Sequence, residues 1–371
     1  SSPRVSLPPC DSVAPPLHLG QHVVLSLPIT PMPELATYAL FAYRHEAFVA
    51  EAIRAVARQT YRPLELIITD DASTDRTREK IDEALRDFPP DISVIRINHI
   101  QNQGIPGVIN AAVRHASGRV IVFAAGDDIS EPERVAWTMR LFTDTRVAFV
   151  HTAVSVIDAD GRLVEGRQAE GHGDTTLSML GMLQGTDIPI VGASCAYRVD
   201  VFRAFAELPS GILREDVILP IRGLMLGEGR YLSSKLVRYR THAGNLHSPA
   251  QVQTSAEMVQ RNLRFADDRA AFCMQLSADI AKAQADGRIL PNELDVYLRQ
   301  ETAYSAVEQR LLTTKSLFAR AGQVALAWMQ RRIGTAKAVK LFTLFVTPFL
   351  YAPVLKVRIR LSERKRQMRH G

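Results

Sequence analysis

The chain has 371 residues, 46% hydrophobic and 23% charged, a composition that provides for a globular core and excludes wholesale disorder. Its three cysteines are widely spaced with no histidine partner nearby, which excludes a disulfide framework or structural zinc site and is typical of a reducing compartment. The formal net charge is +6, but residues 356–371 hold seven Lys or Arg and one Glu, so the other 38 basic and 38 acidic residues balance and a general nucleic-acid surface is excluded.

The first part of the chain contains two segments of different composition. Residues 1–35 are rich in Pro and Ser and have no hydrophobic periodicity, which predicts a loose arm, and no signal-peptide pattern is present in them. From Ala36 onward, short apolar runs alternate with amphipathic segments. Strands are predicted over Tyr38–Ala42, Leu64–Thr69, Ile92–Ile97, Arg119–Ala124 and Val147–Ile157. Helices are predicted over Phe48–Gln59, from about Arg76, over Pro106–His115 and over Pro132–Phe142.

This alternation predicts the fold class. Four strand–helix repeats in succession form right-handed βαβ units, so we expect an α/β domain with a doubly wound, mostly parallel sheet flanked by helices. In such sheets the ligand lies at the carboxyl ends of the strands. The residues that follow each strand are therefore the candidates for a functional site.

The pattern becomes helical beyond residue 248. Helices are predicted over Ser255–Gln275, Pro291–Thr313 and Ser316–Arg332. Leu341–Leu355 is then free of charge for 15 residues, contains Pro348 and Pro353, and is shorter than the roughly 20 residues of a spanning helix. Because the basic tail follows directly, we expect a surface-lying membrane anchor, and the alternative is a core helix capped by solvated charges.

Acidic side chains follow the second and fourth predicted strands. Residues 70–75 contain three Asp, more than the next helix needs as a cap, a role expected of Asp75 or Ser73. An Asp at a strand end can accept a hydrogen bond from a ribose hydroxyl or a base N–H. Asp127 and Asp128 follow an apolar strand, where paired carboxylates suit a divalent ion such as Mg²⁺ or Mn²⁺ or else form a solvated turn.

Two further groups of polar residues occur later in the chain. Glu215 and Asp216 open a helical run, where acids are often only dipole partners but can also supply a general base. His242 follows a short strand and is a metal ligand, a phosphate partner or a loop histidine with satisfied hydrogen bonds. The chain has no GxxxxGK[ST], no GxGxxG after the first strand and no HExxH, which argues against an ATPase, a nicotinamide dehydrogenase and a zincin.

The order of these segments resembles the family 2 glycosyltransferases, inverting enzymes of the GT-A fold that use nucleotide-sugar donors. The resemblance covers about residues 36–248 and implies a GT-A fold followed by a helical C-terminal extension. It rests on LFAYRHE at 40–46, EAI at 51–53, QTY at 59–61, ELIITDDASTD at 65–75, NQG at 102–104, NAA at 110–112, ASG at 116–118, GDD at 126–128, ED at 215–216 and RTHAGNL at 240–246.

The resemblance implies a donor pocket and a metal site. The donor would be bound by Ala42, Tyr43, Asp70, Asp71, Asn102, Gly104 and Asp127. Within this group, Asp70 and Asp71 would hold the base and the ribose. Asp128 would ligate Mn²⁺ or Mg²⁺ with Asp127 and His242 beside it, and the ion would bridge the donor diphosphate. Ala125 stands where the family often has an acid, so the metal would depend on the two aspartates that follow.

The resemblance also implies the catalytic groups. Asp216 would remove the proton of the acceptor hydroxyl as that oxygen attacks the anomeric carbon, and the single displacement would invert the configuration there. Glu215 is the alternative base. The acceptor side would be formed by Gly192, Ala193 and Ser194.

These inferences lead to one expected function and two alternatives. We expect a bacterial hexosyltransferase that moves a sugar from a nucleotide-sugar donor, with UDP-sugars favoured, to a hydroxyl of a glycan or lipid-linked acceptor in cell-surface polysaccharide biosynthesis. The alternatives are a non-catalytic GT-A module that binds a nucleotide sugar or a partner transferase, and nucleotidyl transfer to a sugar phosphate. The absence of a Gly-rich, basic phosphate loop near the first strand argues against nucleotidyl transfer.

The expected organisation has four parts. They are a Pro-rich arm at 1–35, the catalytic domain at 36–248, a helical extension at 249–336, and a hydrophobic and polybasic membrane-associating tail at 337–371. The tail would hold a cytoplasmic protein on the inner face of the cytoplasmic membrane, with no nucleic-acid partner and with the oligomeric state left open.

Overall fold

The structure is a computed structural model that describes residues 33–164, 173–185, 188–245, 255–314 and 316–345. For residues 255–261, 343 and 344 it describes the backbone alone. The predicted N-terminal arm, apart from residues 33–35, lies outside these ranges. So do the apolar and basic stretch beyond residue 345 and Leu246, the last residue of the final motif.

Four parallel strands and four helices form the first half of the catalytic domain. The strands are β1 (Ala36–Ala42), β2 (Leu64–Asp70), β3 (Ile92–Asn98) and β4 (Val120–Ala125). The helices are α1 (Val49–Ala57), α2 (Thr77–Leu85), α3 (Gly104–His115) and α4 (Arg134–Leu141). The strands are hydrogen-bonded in the order β3-β2-β1-β4, all parallel, which confirms the predicted α/β architecture.

The second half of the sheet is mixed. It contains β5 (Ile129–Ser130), β6 (Val147–Ile157), β7 (Thr175–Leu177), β8 (Cys195–Arg198) and β9 (Glu228–Arg240). Among the described residues the strand order is β3-β2-β1-β4-β8-β6-β9-β5, with β7 paired to β9. Strand β8 is antiparallel to both β4 and β6, whereas β6 and β9 are parallel. The helical segments here are α5 (Met179–Gln184), a 3-10 turn (Gly192–Ser194), α6 (Asp200–Arg203) and α7 (Glu215–Leu226).

Side chains of the parallel strands alternate between two buried faces. Tyr38, Leu40 and Leu66 belong to one apolar cluster, whereas Ala39 and Ile67 belong to another on the opposite face. Because both faces of these strands are covered, their sequences are nearly continuous apolar runs. Polar residues are therefore placed at the strand ends, where the site lies.

A helical extension follows the sheet. Its helices are α8 (Ser255–Ala285), α9 (Asn292–Thr313), α10 (Leu317–Met329) and α11 (Thr335–Phe345), which confirms the predicted helical character of this region. Phe272 and Leu276 of α8 belong to the same buried cluster as Ile218 of α7. The extension therefore shares the hydrophobic core of the catalytic domain.

The apolar stretch at the end of the chain begins inside a folded helix. Leu341 and Phe345 of α11 are buried in one cluster with Tyr304 of α9. For these residues the core-helix alternative is correct, and residues 346–355 lie outside the described ranges. No helix among the described residues is long and apolar enough to cross a membrane.

Candidate active site

The loops that follow β1, β2 and β4 are hydrogen-bonded to one another at the carboxyl edge of the sheet. The N–H of Asp71 donates to the carbonyl of Ala42 (2.9 Å), and the N–H of Gly126 donates to that of Phe41 (2.7 Å). A Cβ on Gly126 would lie 2.8 Å from Nδ1 of His45, so glycine permits this close approach. The segments predicted to bind the donor and the metal therefore converge.

Asp70 is fully buried at the end of β2, and its carboxylate forms hydrogen bonds within the protein. Its Oδ1 accepts hydrogen bonds from Nε of Arg78 (2.5 Å) and from the N–H of Ser73 (3.1 Å). Arg78 also donates to the carbonyl of His99 (2.6 Å), so the pair joins the loops after β2 and β3. The Oδ2 atom of Asp70 is buried and has no hydrogen-bond partner in the described part of the chain.

Asp71 caps α3, the helix that follows the next strand. Its two carboxylate oxygens accept from the N–H groups of Gln103 (2.7 Å) and Gly104 (2.9 Å), and Asn102 Nδ2 donates to the Asp71 carbonyl (3.2 Å). Gly104 has a φ of +69°, a left-handed conformation that favours glycine. Burial raises the pKa of Asp71, and the two N–H bonds oppose the rise. Asp71, Asn102 and Gly104 are thus brought together.

The loop after β1 is held against the start of α2. The N–H of His45 donates to Oγ1 of Thr77 (2.8 Å), and the N–H of Thr77 donates to Asp75 (3.1 Å). Asp75 is one of the two residues predicted to cap this helix. Tyr43, in the same loop, is 43% exposed and follows the buried Ala42 at the carboxyl end of β1.

Asp127 and Asp128 are neighbours in the chain with different partners. Asp128 is buried, its Oδ1 accepts from the N–H of Arg240 (2.8 Å), and burial together with the charge of Asp127 raises its pKa well above the usual value. Asp127 Oδ2 lies 3.0 Å from Nε2 of His242 and 3.7 Å from Nε2 of His45. Burial alone would raise the pKa of Asp127, but the His242 hydrogen bond and the charges of both histidines lower it.

The groups around Asp127 fit a divalent ion that takes its other ligands from phosphate. Asp127 and His242 present an oxygen and a nitrogen 3.0 Å apart, about the spacing of adjacent ligands at roughly 2.1 Å from one ion. Oδ2 of Asp128 is a buried carboxylate oxygen with no hydrogen-bond partner among the described residues. In the same ranges, no three His, Cys, Asp or Glu side chains are grouped to hold a metal. The described chain therefore offers two preformed ligands.

Two buried basic residues at this site were not assigned from the sequence. Nε of Arg240 donates to the carbonyl of Asp127 (2.8 Å), and its terminal nitrogen pairs with Glu51 (2.6 Å). His45 has a pKa lowered by burial, and its Nδ1 is buried without a hydrogen-bond partner in the described ranges. Both stand in segments quoted for the resemblance, but their contacts with Asp127 depend on how separate loops meet.

Glu215 and Asp216 begin α7, as predicted, and lie beside the turn Gly192–Ser194. A Cβ on Gly192 would lie 2.8 Å from Oε1 of Glu215 and 3.6 Å from Cβ of Asp216. Burial, followed by the negative charge of Asp216, raises the pKa of Glu215 to about 8. At neutral pH Glu215 is therefore mostly protonated.

The turn beside these acids is fixed to the sheet. Arg134, which is buried, donates from one nitrogen to the carbonyls of Phe123 and Ala193, at 2.7 Å each. Ser194 is buried as well, and its hydroxyl donates to the carbonyl of Val191 (2.8 Å). The predicted acceptor-side residues thus lie next to the acid pair in a turn of fixed geometry.

Tyr239 lies within electrostatic reach of both groups of acids. It precedes Arg240 on β9 and pairs with Val156 of β6. Its pKa is raised to about 12 by burial and then by negative charges. These charges belong, in decreasing order of effect, to Asp128, Asp127, Asp216 and Glu215. No pattern in the sequence singled out this tyrosine.

Comparison with known proteins agrees with this fold. Residues 39–205 match the family model described as Glycosyl transferase family 2. The match includes nearly all of the four parallel strands and the acids at their carboxyl ends, and it ends before α7. Residues 39–205 therefore belong to glycosyl transferase family 2, which supports a transferase activity for the chain.

Three known proteins show the extent of the similarity. An uncharacterized glycosyltransferase of Nostoc sp. is 26% identical over 220 residues, 58% of this chain and 67% of that protein. The E. coli enzyme UDP-Glc:alpha-D-GlcNAc-diphosphoundecaprenol beta-1,3-glucosyltransferase WfgD is 29% identical over 127 residues, 33% of this chain and 47% of that enzyme. S. aureus TarS 1-349, solved with UDP-GlcNAc, superposes with a TM-score of 0.50 at 15% identity over 85% of this chain and 92% of that one.

Proposed function

We propose that the protein transfers a sugar, with inversion, from a nucleotide-sugar donor to a hydroxyl of a glycan or lipid-linked acceptor. One observation carries the proposal. Arg134 donates to the carbonyl of Phe123 on β4 and to that of Ala193 in the turn beside Glu215, at 2.7 Å each. This buried side chain therefore joins the strand that leads to the donor edge to the turn beside the predicted base. Single displacement requires this arrangement, because the leaving group and the base act on opposite faces of the sugar.

The donor would lie at the edge formed by the loops after β1, β2 and β4. Asp71 is occupied by the N–H groups that begin α3, whereas Asp70 keeps a buried Oδ2 with no partner among the described residues. This oxygen would accept from a base N–H or a ribose hydroxyl only after the loops around it open, because Asp70 is fully buried. A UDP-sugar is favoured because the E. coli relative is named for a UDP-glucose donor.

A divalent ion, Mn²⁺ or Mg²⁺, would be held by Asp127 and His242, with the second oxygen of Asp128 behind them. When bound, the ion neutralises charge on the leaving diphosphate. Asp127 is ready for this role at neutral pH because its pKa is lowered by its histidine partners. His45 and Arg240 hold Asp127 from its other sides.

Asp216 would act as the general base. Its carboxylate takes the proton of the acceptor hydroxyl while that oxygen forms a bond to the anomeric carbon. The bond from that carbon to the phosphate oxygen breaks, and its electron pair leaves with the nucleoside diphosphate. Glu215 holds a proton at neutral pH because its pKa is about 8, so it is the poorer base of the pair.

The acceptor and the location are also part of the proposal. The E. coli relative is named for a diphosphoundecaprenol-linked acceptor, which supports a lipid-linked glycan and a role in cell-surface polysaccharide synthesis. The part of the predicted tail beyond residue 345 would associate with the inner face of the cytoplasmic membrane, since the end of the uncharged stretch precedes seven basic residues there. The matched residues span 47% of the length of that enzyme. We therefore propose its type of acceptor for this protein and do not assign it.

The alternative is a non-catalytic module that binds a nucleotide sugar without turnover. It is favoured by the burial of Asp70 and Asp128, two of the acids expected to bind the donor and the metal, which already form hydrogen bonds within the chain. Calorimetric titration with UDP, GDP and dTDP, each with and without Mn²⁺, followed by an assay of UDP release from UDP-sugars, separates the two. Mn²⁺-dependent UDP binding with release supports the transferase, and binding without release under any acceptor supports the module.

A further inference from the structure

Helix α10 has its polar side chains turned inward. Arg320 is its only charged residue, and its guanidinium donates to the carbonyls of Thr314 (2.6 Å) and Phe345 (3.1 Å). Gln323 is also turned inward, and its Nε2 donates to Oγ1 of Thr314 (3.0 Å). These contacts close α10 against the ends of α9 and α11 and leave its other face without a charged residue.

The outer face of α10 is apolar along its whole length. Phe318, Leu326 and Met329 are 92%, 51% and 65% exposed, respectively. With Gly322 and Ala325 they follow the spacing of one helix face, which we call the α10 stripe. A helix that is apolar on all sides is normally buried, and a continuous exposed apolar patch marks a binding surface. The stripe therefore requires a partner surface.

The charge of the surrounding chain indicates the nature of that surface. From residue 309 to residue 362 the sequence has ten Lys or Arg and no Asp or Glu. Arg331 and Arg332, both exposed, follow the stripe directly. A second copy of the chain would bring two positively charged regions together, whereas an anionic surface complements them.

We propose that the α10 stripe docks on an anionic lipid bilayer. Phe318, Leu326 and Met329 would enter the boundary between headgroups and acyl chains, and Arg331 and Arg332 would contact the headgroup phosphates. Stable attachment generally takes two signals, and the stripe would add a folded one to the basic tail. The inference deepens the membrane association proposed for the tail and does not depend on the transfer reaction.

Vesicle binding by the full chain tests the proposal. The double variant Phe318→Glu/Met329→Glu changes the stripe, and Met274→Glu/Ile289→Glu is the matched control, because those side chains are 69% and 99% exposed outside α10 and α11. Sedimentation with phosphatidylglycerol-containing vesicles should show binding at least about tenfold weaker for the stripe variant and unchanged for the control. Pure phosphatidylcholine vesicles should bind the wild type weakly.

A second readout reports on helix α10 directly. The chain has two tryptophans, so Trp137→Phe leaves Trp328, which lies on α10 beside the stripe and is 49% exposed. Its emission should shift to the blue when anionic vesicles are added, and Phe318→Glu/Met329→Glu in this background should abolish the shift. Titration of both double variants with UDP and Mn²⁺ should give wild-type affinity, which keeps this test separate from that of the donor site.

Three results would overturn the proposal. Equal vesicle binding by the stripe variant and the wild type would assign attachment to the tail alone. Equal losses in the stripe and control variants would show that the position of the apolar residues is irrelevant. A wild-type dimer that becomes a monomer in the stripe variant, without vesicle binding by either, would assign the stripe to a second copy of the chain.

Discussion

The adjacent carboxylates Asp127 and Asp128 have different roles because one faces histidines and the other faces backbone. Replacing Asp127 by Asn keeps the size of the side chain but removes the charge that a divalent ion needs. We expect Asp127→Asn to weaken Mn²⁺-dependent UDP binding at least about tenfold, with little change in the melting temperature. Asp160→Asn, at an exposed loop carboxylate, should change neither quantity.

Calorimetry with and without Mn²⁺ measures this effect. Equal UDP affinity of wild type and Asp127→Asn in the presence of Mn²⁺ would show that the ion, if it binds, is not held there. His242→Ala, which removes the second preformed ligand, should reproduce part of the loss.

The raised pKa of Glu215 makes stability depend on pH in a definite direction. The folded protein holds this proton up to a pH of about 8, whereas the unfolded chain releases it near the ordinary value of 4.5. The free energy of unfolding therefore falls as the pH rises between these values. Glu215→Gln does not titrate, so its stability relative to wild type should rise by about 1–2 kcal/mol between pH 5 and pH 8, after discounting for partial exposure.

Urea unfolding of both proteins at pH 5, 6.5 and 8 gives this difference directly. A constant difference across the three pH values would show that Glu215 titrates normally. The same variant should retain sugar transfer at neutral pH, because Glu215 is already protonated there.

At the scale of elements, α8 positions the start of α7. Asp268 of α8 accepts hydrogen bonds from the N–H of Leu213 (2.6 Å) and from Nε of Arg214 (2.8 Å), the two residues that precede Glu215. We expect Asp268→Asn to lower kcat about tenfold while UDP affinity stays unchanged, because the base moves but the donor edge does not.

The chain offers a matched control for this positioning role. Asp279, also on α8, forms a buried bidentate ion pair with Arg222, with N–O distances of 2.7 and 3.0 Å. Arg222 lies further along α7 than the predicted base. Both Asn variants should lose stability, on the order of 3–5 kcal/mol for the buried pair at Asp279, but Asp279→Asn should keep kcat per folded molecule. Equal kcat values for the two variants would contradict a specific role for Asp268.

The sequence predicted long elements and strand-end acids well because both have local signals. The strands β1 to β4 are apolar runs and α1 to α4 are amphipathic, so each could be recognised alone. Strands β5, β7 and β8 have two to four residues, too few for a periodic pattern. The partners of Asp71, 32 and 33 residues away, and the contact of Asp127 with His45 depend on how the loops meet in three dimensions.

At the scale of the molecule, the helical extension contributes in two places. Through α8 it shares the core of the catalytic domain, and through α10 it presents an apolar stripe within an acid-free, basic part of the chain. The extension therefore connects the helix of the base to the surface proposed to meet a membrane. This arrangement suits an acceptor carried by a lipid, which an enzyme must reach from the bilayer surface.

We propose that Asp216 is the base of a transfer reaction whose donor is bound independently of this residue. The most direct measurement compares wild type and Asp216→Asn for UDP-sugar affinity by calorimetry and for UDP release in a single turnover with Mn²⁺. We predict that the affinities agree within about twofold and that the release rate falls by roughly 10²–10⁴-fold, as loss of a general base requires. Full-rate release by Asp216→Asn would contradict the assignment of the base and, with it, the proposed roles of the two acid pairs.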